Sequence, residues 1–168
     1  MRAAPRASRY DPVSRDLGAF GPPPPPMRDG PGEDPAGAVV RELRILLIED
    51  SRPIKERLTA MLTETGVMRI AGAAATENEA RACIDEDEFD VLLVDVELQQ
   101  GSGIGAIRHA RQHYRPGRQP LIVVLTNYPL PAIRSRCLEA GADHFLDKMH
   151  QFQDVKALIS AAPRIPRD

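Results

Sequence analysis

Five polar side chains of this sequence stand at or just beyond the ends of short aliphatic runs. Glu49 and Asp50 follow Ile45-Leu46-Leu47-Ile48, and Asp95 follows Val91-Leu92-Leu93-Val94. Thr126 follows Leu121-Ile122-Val123-Val124-Leu125, and Lys148 stands two places after Phe145-Leu146. Brought to one place, the three carboxylates repel one another and resist full ionisation unless a cation sits among them. Oxygen ligands with room left for water suit Mg²⁺, which takes one or two carboxylates plus a phosphate oxygen. A carboxylate held beside such an ion can attack a phosphoryl group and form an aspartyl phosphate, and Asp95 is the central candidate. The metal, the Lys148 ammonium and the Thr126 hydroxyl would neutralise the phosphoryl oxygens from three directions.

What must position these groups is an alternation of strands and helices. Strands are expected at Ile45 to Ile48, Met68 to Ala73, Val91 to Val94, Leu121 to Leu125 and Phe145-Leu146. Between them, Ile54, Leu58, Met61 and Leu62 repeat at helical spacing. Ile104 and Ile107 mark a third helix, Ile133, Cys137 and Ala140 a fourth, and Phe152, Val155 and Ile159 a fifth running to about Ala162. Thr76-Glu77-Asn78-Glu79 is a capping box that opens the second helix, and Gly66 is a stop for the first. The order is (βα)5: an α/β fold with a doubly wound, five-stranded parallel sheet in three αβα layers, flavodoxin-like in topology. Right-handed crossovers put the active crevice of such a sheet beyond the C-terminal strand ends, where the five polar residues fall.

Composition removes other classes. The full chain of 168 residues carries 22 Lys and Arg against 24 Asp and Glu, so a net charge of −2 gives no pull toward nucleic acid or acidic membranes. No apolar run approaches the roughly 20 residues of a membrane helix. Cys83 and Cys137 lack a CxxC or a His partner at ligand spacing, which implies free thiols in a reducing cytoplasm rather than a zinc site or a disulfide framework. Residues 1–40 hold 9 of the 16 prolines and 5 of the 12 glycines, so they read as a disordered tail, with a polyproline stretch at Pro22 to Pro26.

From Leu43 to Ala162 the chain resembles a bacterial response-regulator receiver domain of the stand-alone, CheY-like kind, here taken as residues 43–162. The resemblance rests on Glu49-Asp50 in ILLIEDS, Asp95 in VLLVDVELQQGSG, Thr126 in LIVVLTNY, and Phe145 and Lys148 in GADHFLDK. Steps of 45, 31 and 22 residues from Asp50 through Asp95 and Thr126 to Lys148 conform to the family. It implies that a histidine kinase or a phosphotransfer protein donates a phosphoryl group to Asp95, with Mg²⁺ bound by Asp50, Asp95 and the backbone carbonyl of Glu97, and with Glu49 assisting through water. It also implies a signalling phosphoacceptor rather than a conventional enzyme, one that promotes its own phosphorylation and dephosphorylation. Thr126 and Phe145 would be the switch residues. The face of the fourth helix, fifth strand and fifth helix would change its protein partner, as a monomer or as a homodimer through that face.

The chain departs from the family pattern in places. Met149 follows the lysine where a proline joined through a cis bond is common, so the next loop is expected to differ. Asn127 replaces a smaller residue, and Tyr128 is expected, with Glu97, to shield the site and slow phosphate loss. Gln99 replaces a common proline, which is expected to loosen the loop before Gly101 and Gly103. Six residues follow the last helix, so the reading is a cytoplasmic receiver with no attached output domain, acting through protein contacts. The alternative is a receiver-like binding module that is never phosphorylated. A flavodoxin-like enzyme or nucleotide binder is disfavoured, because no glycine-rich phosphate loop follows the first strand.

Overall fold

The computed structural model describes residues 41–164, and the tail expected over residues 1–40 lies outside them. Five strands alternate with five helices: β1 Leu43–Ile48, α1 Arg52–Thr63, β2 Met68–Ala74, α2 Glu77–Glu86, β3 Val91–Val94, α3 Gly103–His113, β4 Leu121–Thr126, α4 Pro131–Ala140, β5 His144–Asp147 and α5 Asp154–Ser160. The strands form one parallel sheet in the order β2-β1-β3-β4-β5. The order reverses between β1 and β3, which makes the sheet doubly wound and places its crevice there.

The aliphatic runs become strands because both of their faces are covered, so neither face needs polar residues. Side chains alternate across the sheet: Leu46 and Ile48 enter a core shared with α2, α3 and α4, while Ile45 and Leu47 enter one shared with α1 and α5. Ala80, Ile84, Ile104, Ile107 and Cys137 close the first core; Leu58, Leu62, Val155 and Ile159 close the second. Ile54 and Met61 pack against the second core while only half-buried, so the stripe expected on α1 is real but narrower.

Capping follows the sequence with one adjustment. Thr76 Oγ1 accepts from Glu79 N at 3.2 Å, but Glu79 Oε2 accepts from Ala75 N at 2.7 Å, one residue before the cap. Gly66 adopts φ +68°, a left-handed conformation that favours glycine, in the turn after α1. The fifth helix is shorter than expected. It ends at Ser160, with Ala161 as its cap and Ala162 N bonded back to Ile159 O at 2.9 Å, and buried Phe152 precedes it in a turn.

Candidate phosphoryl-acceptor and metal site

The backbone ladder of the sheet continues past the strand ends and fixes each polar residue. Glu49 N donates to Ala74 O at 2.9 Å, Asp95 N to Ile48 O at 2.8 Å, and Lys148 N to Thr126 O at 2.9 Å. The residues that follow β1, β3 and β5 are thus each held by the adjacent strand, β2, β1 and β4, and side-chain placement follows from strand register. Gly103 lets α3 begin close by, since a Cβ there would lie 2.0 Å from the Asp95 carbonyl oxygen.

Glu49, Asp50 and Asp95 each offer a carboxylate oxygen, and these oxygens lie within 4.8 Å of one another. Lys148 Nζ reaches Glu49 Oε2 and Asp95 Oδ2, both at 2.6 Å. Glu49, Asp95 and Lys148 are all buried, at 2%, 7% and 7% exposure, while Asp50 is half-buried. Glu49 is oriented by Ser51 N, which donates to its Oε1 at 2.9 Å, and Asp95 Oδ1 accepts from Glu97 N at 3.4 Å. Burial pushes the Glu49 carboxyl above its ordinary value, against the bonds from Lys148 and Ser51. Burial pulls Lys148 down, but the bonds to Asp95 and then Glu49 outweigh it and hold the ammonium above its usual range.

Three carboxylates around one ammonium leave two negative charges in excess when all are ionised. That surplus, the oxygen-only donor set and the partial exposure of Asp50 fit one hard divalent cation with water on its open side.

Thr126 is buried at 1% exposure, and its Oγ1 accepts from Tyr128 N at 3.2 Å. Phe145 is half-buried against the core of α2, α3 and α4. Tyr128 is 52% exposed and Met149 76% exposed, and Asn127 and Glu97 are also at the surface. The loop after Lys148 is organised by Asp147: its carboxylate accepts from Met149 N and meets His150 Nδ1, both at 2.7 Å, and every described peptide bond is trans. The loop before α3 is tied down, contrary to the expectation drawn from Gln99. Glu77 N donates to Gln100 O at 3.0 Å and Glu77 Oε2 accepts from Ser102 N at 3.0 Å, so α2 holds it.

Sequence reasoning missed residues that brace this architecture. Arg111 spans to Gly141 O at 2.8 Å, Pro120 O at 2.9 Å and Asp143 Oδ2 at 2.7 Å. Buried Asp90 accepts from Arg41 at 2.7 Å and from Arg44 N at 2.8 Å. Sequence reasoning also missed His109 and His113, whose four-residue spacing on a helix was visible in the sequence, and which meet Asp85.

Residues 45–160 match the family model of the response regulator receiver domain. The chain is 32% identical over 121 residues to the phosphate regulon transcriptional regulatory protein PhoB of Escherichia coli, an alignment covering 72% of this chain and 52% of PhoB. It is 26% identical over 120 residues to a hybrid signal transduction histidine kinase G of Dictyostelium discoideum, covering 71% of this chain and 4% of that protein. The chain thus spans about half of one curated relative and a small part of another. Among solved structures it superposes, at TM-score 0.62 and 28% identity, on the receiver domain of the sensor histidine kinase PA1611 of Pseudomonas aeruginosa, covering 71% of this chain and 95% of that one. That structure has a magnesium ion coordinated in its active-site cleft. A doubly wound sheet with a carboxylate cluster at its switch point, together with a family match over most of the described residues, makes this chain a member of the response regulator receiver domain family.

Proposed function

We propose that Asp95 accepts a phosphoryl group from a phosphohistidine of a kinase or phosphotransfer protein. An Asp95 carboxylate oxygen forms the new bond to phosphorus, the phosphorus–nitrogen bond breaks, and the imidazole leaves with its electron pair. Asp50, Asp95 and the Glu97 carbonyl would hold Mg²⁺, with Glu49 assisting through water. When bound, the ion would supply positive charge to the phosphoryl oxygens. Lys148, bonded to Asp95 Oδ2 at 2.6 Å, then follows the negative charge onto the phosphoryl group. Thr126 turns its hydroxyl from Tyr128 N toward that group, and Phe145 moves into the space released.

The observation that carries this reading is the buried Lys148 ammonium at 2.6 Å from both Glu49 and Asp95, with Asp50 completing the cluster. The output is a protein contact on the α4–β5–α5 face, in a cytoplasmic protein. Half-buried Phe145 and exposed Leu138, Leu130 and Met149 support that choice of face.

The test is intact mass after incubation with a small phosphodonor and Mg²⁺. Wild type gains about 80 Da, one phosphoryl group, and Asp95→Asn gains nothing. Equal gain in both proteins refutes Asp95 as acceptor. No gain in wild type favours the second reading, a binding module that has lost the chemistry, which the departures at Asn127 and Met149 motivate.

A further inference from the structure

A second cluster of metal-ligating groups lies between α2 and α3. His109 and His113 are four residues apart on α3, about one helical turn, so both imidazoles leave the same face. Their rings stack with centroids 6.0 Å apart and 27° between planes. From α2, Asp85 places Oδ1 2.7 Å from His109 Nε2 and 3.2 Å from His113 Nδ1. One donor atom from each residue lies within 4.8 Å of the other two. Tyr114 meets the His113 ring edge-on at 5.3 Å, which helps hold its orientation.

The site is open to solvent, since the side chains of His109, His113 and Asp85 are 22%, 38% and 52% exposed. A cleft of about 360 Å³ borders His113. An ion can therefore enter and water can take a fourth position.

We propose that Asp85, His109 and His113 bind a divalent transition-metal ion, Zn²⁺ foremost. Two imidazole nitrogens and one carboxylate oxygen form a donor set of borderline softness that Mg²⁺ does not favour. Metal–ligand bonds of about 2.0–2.2 Å place tetrahedral donors about 3.3–3.6 Å apart. The present spacings from Asp85 of 2.7 and 3.2 Å must therefore open by somewhat less than about 1 Å, which rotation of these partly exposed side chains can supply.

This site is distinct from the Asp95 cluster. α3 begins beside Asp95 at Gly103, and at 1.5 Å per residue His109 and His113 lie about 9 and 15 Å further along the helix. Bound there, the ion joins α2 to α3. The N-terminus of α2 also holds the loop that leads from Asp95 into α3, through Glu77.

The test titrates Zn²⁺ into the full chain against a chromophoric chelator, with Mg²⁺ in excess to saturate the carboxylate cluster. Wild type should bind one Zn²⁺ at this site. Loss of an outer-shell partner costs about 10–100-fold in affinity, so loss of a direct ligand in His109→Ala or His113→Ala should cost at least about 100-fold. Asp95→Asn should keep full affinity. Thermal melts in chelator check that the variants fold, and His109→Gln and His113→Gln serve the same purpose if an alanine variant does not. Absence of a wild-type equivalent overturns the proposal, as does Zn²⁺ affinity that survives the histidine substitutions or is lost with Asp95.

Discussion

Replacing Lys148 with methionine removes the one ammonium paired with Glu49 and Asp95 while keeping an unbranched side chain of similar length. Both carboxylates are buried, so without their partner at least one of them escapes by taking a proton. The cost of protonating a carboxyl caps the loss. For Glu49, with an ordinary value of 4.5, that cap at pH 7 is 2.5 units at 1.36 kcal/mol each, about 3.4 kcal/mol. At pH 5 half a unit remains, about 0.7 kcal/mol. The pH 7 figure falls within the range of about 3–5 kcal/mol for breaking a buried ion pair.

Lys148→Met should therefore lower the melting temperature by up to about 10–17 °C at pH 7 in chelator, taking about 3–5 °C per kcal/mol for a domain of this size. The deficit should nearly close at pH 5. Added Mg²⁺ should restore more stability to the variant than to wild type, because the cluster then carries three uncompensated charges rather than two. Thermal denaturation by circular dichroism at the two pH values, with and without Mg²⁺, reads all of this. A metal-free deficit that is absent at pH 7, or equal at both pH values, would refute the claim that Lys148 neutralises buried carboxylates.

Glu49→Gln should raise the metal-free melting temperature at neutral pH, since burial makes the Glu49 charge costly. A carboxyl raised in the folded state loses stability as pH rises, so the advantage of Gln should shrink on acidification in matched melts, and Mg²⁺ affinity should fall about tenfold or more. Arg111→Ala should cost about 2–3 kcal/mol in urea denaturation, because the Gly141 and Pro120 carbonyls and the Asp143 carboxylate all lose a charged donor. Asp147 is held below its ordinary 3.8, first by the His150 bond and then by Met149 N. Its contribution is present above 3.8 and lost as pH falls through the lower folded value, so the stability gap between wild type and Asp147→Asn, measured in urea, should close in strong acid and persist at neutral pH. Tyr128→Ala should accelerate decay of the phosphorylated protein severalfold; an unchanged lifetime by mass spectrometry would remove the ring from any shielding role.

The strands were legible because a sheet covered on both faces writes itself as continuous aliphatic runs, and β3 falls on Val91–Val94 as expected. β1 starts two residues earlier than expected because Arg44, a charged residue in the run, sits near the strand's end and reaches out to Asp87 and the Glu88 carbonyl. The carboxylate cluster was legible because its residues occupy strand ends, whose convergence follows from topology alone. Other features depend on which distant groups meet. Arg111 and Asp90 look like ordinary surface charges until the α3–β4 connection and the start of β1 are packed beside them. The His109–His113 spacing was present in the sequence, but Asp85 becomes their neighbour only when α2 lies against α3.

The same geometry limits what the proposed switch residues, Thr126 and Phe145, can do alone. Thr126 Oγ1 already accepts one hydrogen bond, from Tyr128 N, and releasing it costs about 0.5–1.5 kcal/mol. Donating instead to a phosphoryl oxygen on Asp95 gains about 1.5–3 kcal/mol as a charge-assisted bond. The difference is of order 1–2 kcal/mol, whereas moving a population from 1:99 to 99:1 takes about 5.5 kcal/mol. On the proposed mechanism, the remainder must come from the charge redistribution at Lys148, Asp95 and the metal ligands, where buried charges make each ångström of displacement expensive. On that reading, the cluster's two surplus negative charges would supply switching energy as well as attract the metal.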